Sequence, residues 1–140
     1  MIVVLLTACK SDIVRNDLQE GSWTIDGRIY NALTVKAQDT GNTVTATTVN
    51  SDGLVFYFVK LPTSNGNYNI VQTPGAQNEV KIIAVLQDTT AVYSTTGLQD
   101  KQAKVSFNDG LMTINVPPVE AENVNVAGDK VTIQALLTEK

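Results

Sequence analysis

The side chains able to do covalent or proton-transfer chemistry are few in this chain. It has one cysteine, Cys9, no histidine, and fourteen acidic residues against ten basic ones. Without histidine there is no Ser-His-Asp or Cys-His nucleophile, no imidazole general base and no His-containing zinc site. One cysteine makes neither an intrachain disulfide nor a cysteine metal cluster. Ser22, Ser51, Ser64, Ser94 and Ser106 have no activating imidazole and no G-x-S-x-G context. A glycosidase needs two carboxylates facing across a cleft. Asp26, Asp39, Asp52, Asp109 and Asp129 instead fall in or beside turns, where Asp stabilises the bend through its own backbone. Glu120 and Glu122 flank Ala121 and project to one side of an extended chain, but no EF-hand spacing accompanies them. The stretch "TSNGNYN" (63–69) has one glycine and no helix behind it, unlike a phosphate cradle. The expectation is therefore no enzyme, no cofactor and no metal.

Cys9 does have a context. It follows the apolar run Met1–Ala8, which reads either as a short buried strand or as the apolar region of a secretory signal. Eight residues are far short of the roughly 20 needed to span a bilayer. Leu6-Thr7-Ala8-Cys9 matches the lipobox of bacterial lipoproteins: an aliphatic residue, two small ones, then cysteine. The resemblance implies a diacylglyceryl group on Cys9 and cleavage before it. No Lys or Arg precedes the run, whereas a signal peptide opens with basic residues. Lys10-Ser11-Asp12 loosely resembles the export signal of surface lipoproteins in Bacteroidota. On this reading residues 1–8 are the signal, residues 9–21 the lipidated cysteine and its tether, and residues 22–140 the folded domain. The expected location is the bacterial cell envelope, at the outer membrane, with the membrane as partner through Cys9.

The net charge is −4 and the pI about 4.6. Ten scattered basic residues do not build the cationic surface that a phosphate backbone or an anionic lipid requires, so no nucleic-acid partner is expected.

What must position any site is a set of strands. Alternating β-branched and aromatic residues recur between turn signals at short intervals. They predict an all-β domain of roughly eight to ten short strands with little or no helix: a single antiparallel β-sandwich or a partly closed barrel. Asp26-Gly27, Asp52-Gly53 and Asp109-Gly110 are the turn signals that matter most, because Asp-Gly accepts positive φ at both central positions. Arg28–Lys36 reads as one strand with Ile29, Leu33 and Val35 inward. Pro117-Pro118 is expected to stop pairing after Leu111–Val116, since proline donates no hydrogen bond. Leu54–Lys60 and Val80–Leu86 are apolar on both faces, which suggests central strands covered on both sides or a face that meets a partner.

"WTIDGRIYNA" (23–32), "GNYNIV" (66–71), "VSFNDGLMTINVPPVEAENV" (105–124) and "VTIQALLTE" (131–139) together resemble small lipoprotein-like domains of Bacteroidota with no assigned function. That resemblance spans the chain from Cys9 onward and implies a secreted β-sandwich, with no catalytic residue to carry across. Three functional readings stand. The first is a lipid-anchored, non-catalytic envelope domain with a structural or accessory role. The second is a glycan- or small-ligand-binding lipoprotein. Trp23, Tyr57 and Tyr68 would then stack on sugar, with Tyr30 and Tyr93 as further aromatics, unless these rings pack the core. The third is a subunit that meets a partner protein through a sheet face or edge.

Overall fold

The β-branched and aromatic residues that fit a pleated surface build strands along nearly the whole chain. The structure, a computed structural model, describes residues 18–97 and 100–140. Cys9, the signal reading of residues 1–8 and most of the tether lie outside the described residues. Those described form eleven strands and no helix. They are β1 (Ser22–Ile25), β2 (Arg28–Asn31), β3 (Thr34–Gln38), β4 (Thr43–Thr47), β5 (Gly53–Phe58) and β6 (Gly66–Ile70). Then follow β7 (Glu79–Leu86), β8 (Ala91–Thr95), β9 (Gln102–Asn108), β10 (Leu111–Asn123) and β11 (Lys130–Thr138). One sheet holds them all in the order 2-1-11-10-9-6-7-5-4-3, with β8 bonded to both β7 and β10. Only β6–β7 is parallel. Val35 and Lys140 exchange backbone hydrogen bonds of 3.3 and 3.0 Å, which joins β3 to the chain beyond β11 and partly closes the sheet on itself.

Two of the Asp-Gly pairs form tight hairpins. Asp26-Gly27 joins β1 to β2 with φ of 50° and 85°, and Asp109-Gly110 joins β9 to β10 with φ of 53° and 79°. These are the paired positive angles of a type I′ turn, whose twist matches the flanking strands. Asp52-Gly53 behaves differently. The turn from β4 to β5 is closed by Thr48, whose Oγ1 accepts from the backbone N–H groups of Asn50 and Asp52. Asp52 is buried, and its Oδ1 accepts from Gln87 N at 2.9 Å, tying this turn to the one after β7.

The sheet forks. One edge of β10 pairs with β11 along its length, while its other edge pairs first with β9 and then with β8. β7 does the same, pairing with β6 at Glu79–Val80 and with β8 from Ile83 onward. Pro117-Pro118 marks the fork on β10. The strand does not stop there, contrary to the expectation from its prolines. It passes through with a bulge, the register shifting between Val116 and Val119. Prolines have no N–H to leave unpaired, so they suit a point where one neighbour has ended and the next has not begun. On β7 the fork leaves the N–H of Ile82 between strands, and the hydroxyl of buried Thr95 fills that gap. Its Oγ1 accepts from Ile82 N at 3.1 Å and donates to Val71 O at 2.9 Å.

Alternation sets most of the core. Leu54, Phe56 and Phe58 on β5 face inward with Val80, Ile82, Ala84 and Leu86 on β7. Each side chain of this kind, once fully enclosed, stabilises by about 1.5–3 kcal/mol. The outward residues Val55, Tyr57, Ile83 and Val85 are half-buried.

Arg28–Lys36 corrects its reading. It is two strands, β2 and β3, on opposite ends of the sheet order, and this raises the count to eleven. Ile29 and Leu33 are 61% and 62% exposed, while Tyr30, Ala32 and Val35 are buried. The cause is a corner. Ala32 N bonds back to Gly21 O beside β1, and Leu33 N bonds to Thr47 O on β4. The chain changes partner between the two residues, and the inward parity changes with it.

Candidate functional site

Where the sheet forks, its outer surface carries an open groove of about 590 Å³. Its floor follows from strand register. Ile83 on β7 lies opposite Ser94 on β8, which lies opposite Glu122 on β10. Ser94 is small and sits between two larger neighbours, so the row dips at its centre. One wall is Lys81 of β7 with Gln72 and Thr73, which follow β6. The other is the end of β10, Glu122 and Asn123, with Val124, Asn125 and Ala127 of the loop that follows.

That second wall is held by its own polar side chains. Glu122 Oε2 accepts from Gly128 N at 2.8 Å. Asn123 Oδ1 accepts from Asn125 N, and its Nδ2 donates to Asp129 Oδ2. The Tyr93 hydroxyl donates to the same Asp129 oxygen at 3.0 Å. Burial, then the hydrogen bond and charge of Asp129, push the Tyr93 hydroxyl above its usual pKa, so it stays a donor. Glu120, two residues before Glu122, projects to the same side, since Ala121 between them is buried. It lies 3.9 Å from Lys130 Nζ and accepts from Thr96 Oγ1 at 3.3 Å. Lys81, on the facing wall, has no ion pair or hydrogen bond with any of the described residues. The groove thus sets an unpaired ammonium against a carboxylate across hydroxyl and amide side chains.

None of the aromatics singled out by type lies in it. Trp23 is completely enclosed, stacked on Tyr30 at 5.5 Å between centroids with the planes 9° apart. Arg28 lies over the Tyr30 ring at 5.2 Å and meets Asp88 at 3.5 Å. Tyr57 is half-buried on the outward side of β5. Tyr68 meets Phe58 edge-on at 5.1 Å, and Phe58 belongs to the inward side of the same strand. Tyr57 and Tyr68 therefore sit on opposite faces of β5 and form no common platform. Two groove residues stand out in the sequence by type: Glu122 as one of a spaced carboxylate pair, and Ser94 as a hydroxyl without an activating base. Lys81, Thr96 and Asn123 carry no linear signal, because three separate strands bring them together.

Comparison with protein families, curated proteins and solved structures finds no match to this chain.

Proposed function

We propose that the protein is a lipid-anchored component of a bacterial cell envelope whose β domain serves a structural or accessory role without catalysis. The observation that carries this is Leu6-Thr7-Ala8-Cys9, with the chain's only cysteine in the lipobox position. A diacyl anchor supplies what the acidic domain lacks, because each buried CH₂ adds about 0.8 kcal/mol and two chains hold stably. Among the described residues the first strand begins at Ser22, and residues 10–21 lie between it and the cysteine in sequence, a length of chain that suits a tether. Outer-membrane attachment is the location this reading expects. Intact-mass measurement from the native host tests it, with a mass starting at Cys9 plus acyl chains as the expected result. Cys9→Ala should move the protein from the membrane pellet to the supernatant. Unchanged sedimentation would overturn the anchor.

The groove at the fork favours a second reading, a small-ligand-binding lipoprotein. Its lining is polar and charged rather than aromatic, which directs attention to ligands recognised by hydrogen bonds and ion pairs. Titration of Lys81→Met beside the unaltered protein, with charged and neutral small molecules, tests that reading.

A further inference from the structure

We infer that the groove at the fork binds a short zwitterionic peptide, its carboxylate on Lys81 and its ammonium on Glu122; this rests on the ligand-binding reading above and specifies it. Lys81 is half-buried on one wall and has no charge partner among the described residues. Glu122, half-buried on the other wall, commits only Oε2, to Gly128 N, and its Oε1 has no hydrogen bond with any described residue. The two side chains are not within ion-pair distance of each other. A purely anionic ligand would meet Glu122 and a purely cationic one Lys81, and like charges in a partly desolvated site repel. A molecule carrying both charges satisfies both walls.

The spacing selects its length. β8 lies between β7 and β10, so the two walls stand two strand spacings apart, roughly 9–10 Å. Lys81 is also two residues along β7 from Ile83, the residue aligned with Glu122, which adds about 6–7 Å along the strand. The Cα atoms are then on the order of 12 Å apart, and strand side chains stand roughly perpendicular to the sheet, so their charged ends keep about that separation. The charges of a single amino acid are too close to bridge that gap. A di- or tripeptide, at about 3.3–3.6 Å per extended residue, is long enough. Ser94, Thr73 and Asn125 supply donors and acceptors for its backbone. The lining has no aromatic pocket to select a side chain, so recognition falls on the two termini.

The test is an NMR titration of the full-length ¹⁵N-labelled protein with triglycine, N-acetyl-triglycine and N-acetyl-triglycine amide. Triglycine should give saturable shifts at Lys81, Ser94 and Glu122. Acetylating the N-terminus, or substituting Lys81→Met, should weaken binding roughly tenfold, the loss of one charge-assisted hydrogen bond. Acetylation removes the ammonium contact without touching the fold, which keeps the Glu122 arm decidable even if Glu122→Gln loosens the Gly128 turn. Equal binding of the doubly blocked peptide overturns the inference and leaves a ligand site of another kind. No shift with any of the three overturns the inference, while the ligand-binding reading falls only if the charged and neutral small molecules titrated above also give none.

Discussion

Thr95 shows how much one hydroxyl can decide. It is 1% exposed, and its Oγ1 serves the Ile82 N–H and the Val71 carbonyl at the point where β6 and β8 part. Thr95→Val keeps the shape and removes both bonds, leaving a donor and an acceptor buried without partners. That should cost about 1–3 kcal/mol or more, read as a lower denaturant midpoint at unchanged slope. Trp23 is the opposite case. Its indole N–H is the one buried side-chain polar atom without a partner among the described residues, so the ring is held by packing and by stacking on Tyr30. Its fluorescence, the only tryptophan signal of the chain, should be blue-shifted from that of free tryptophan and resist a soluble quencher. A spectrum like that of exposed indole would contradict the packing. Neither role was legible in sequence. A tryptophan in an alternating strand reads equally as core or as a binding face, and a threonine reads as any strand residue. Burial separates the possibilities, and burial depends on strands far away in the chain.

At the level of elements, legibility follows locality. The hairpins at Asp26-Gly27 and Asp109-Gly110 depend on two residues and their φ angles, and both were readable. Gly27→Ala forces a side chain into φ of 85° and should cost about 1–2 kcal/mol. Gly75→Ala, at a position without positive φ and with its nearest neighbour atom 4.0 Å from the added carbon, should stay within ~0.5 kcal/mol. Thermal or denaturant melts of the pair separate turn geometry from the general effect of losing a glycine. Arg28–Lys36 was not readable as two strands because its corner is set by Gly21 and Thr47, which the local pattern does not contain. Pro117-Pro118 misled for a related reason. The rule that proline interrupts a ladder holds, but here the ladder changes partner at that point, and the prolines mark the exchange. The groove was hidden for the same cause, since its charged walls come from β7 and from the end of β10 and meet only once β8 lies between them.

For the whole molecule, partial closure of the sheet places tyrosines of distant strands in apolar or carboxylate-bearing surroundings, and this sets the pH range of stability. Burial raises the hydroxyl pKa of Tyr30, Tyr68 and Tyr93 above the ordinary 10.0. A group whose folded pKa lies above its unfolded value contributes stability that is complete below the unfolded pKa and lost as pH rises through the folded one. At the acid end the sign reverses. Backbone N–H groups of Gly75 and Ala76 hold the Glu79 carboxyl below its ordinary 4.5. That contribution is complete above 4.5 and lost as pH falls through the lowered value. Because the Glu79 carboxylate bonds only within its own turn, to Gly75 N and Ala76 N, the acid effect should be confined to loosening of the 75–79 turn, visible as amide exchange there, and absent in Glu79→Gln. The alkaline effect should be global. The denaturant midpoint should stay level up to about pH 10 and decline above it as the tyrosines ionise. Tyr68 gives the cleanest control, because its hydroxyl makes no hydrogen bond with any described residue and desolvation alone raises its pKa. Tyr68→Phe keeps the edge-on contact with Phe58 and removes the ionisation. It should leave stability at neutral pH nearly unchanged and make the alkaline decline shallower. A decline of unchanged steepness would mean that Tyr68 meets solvent as freely in the folded chain as in the unfolded one.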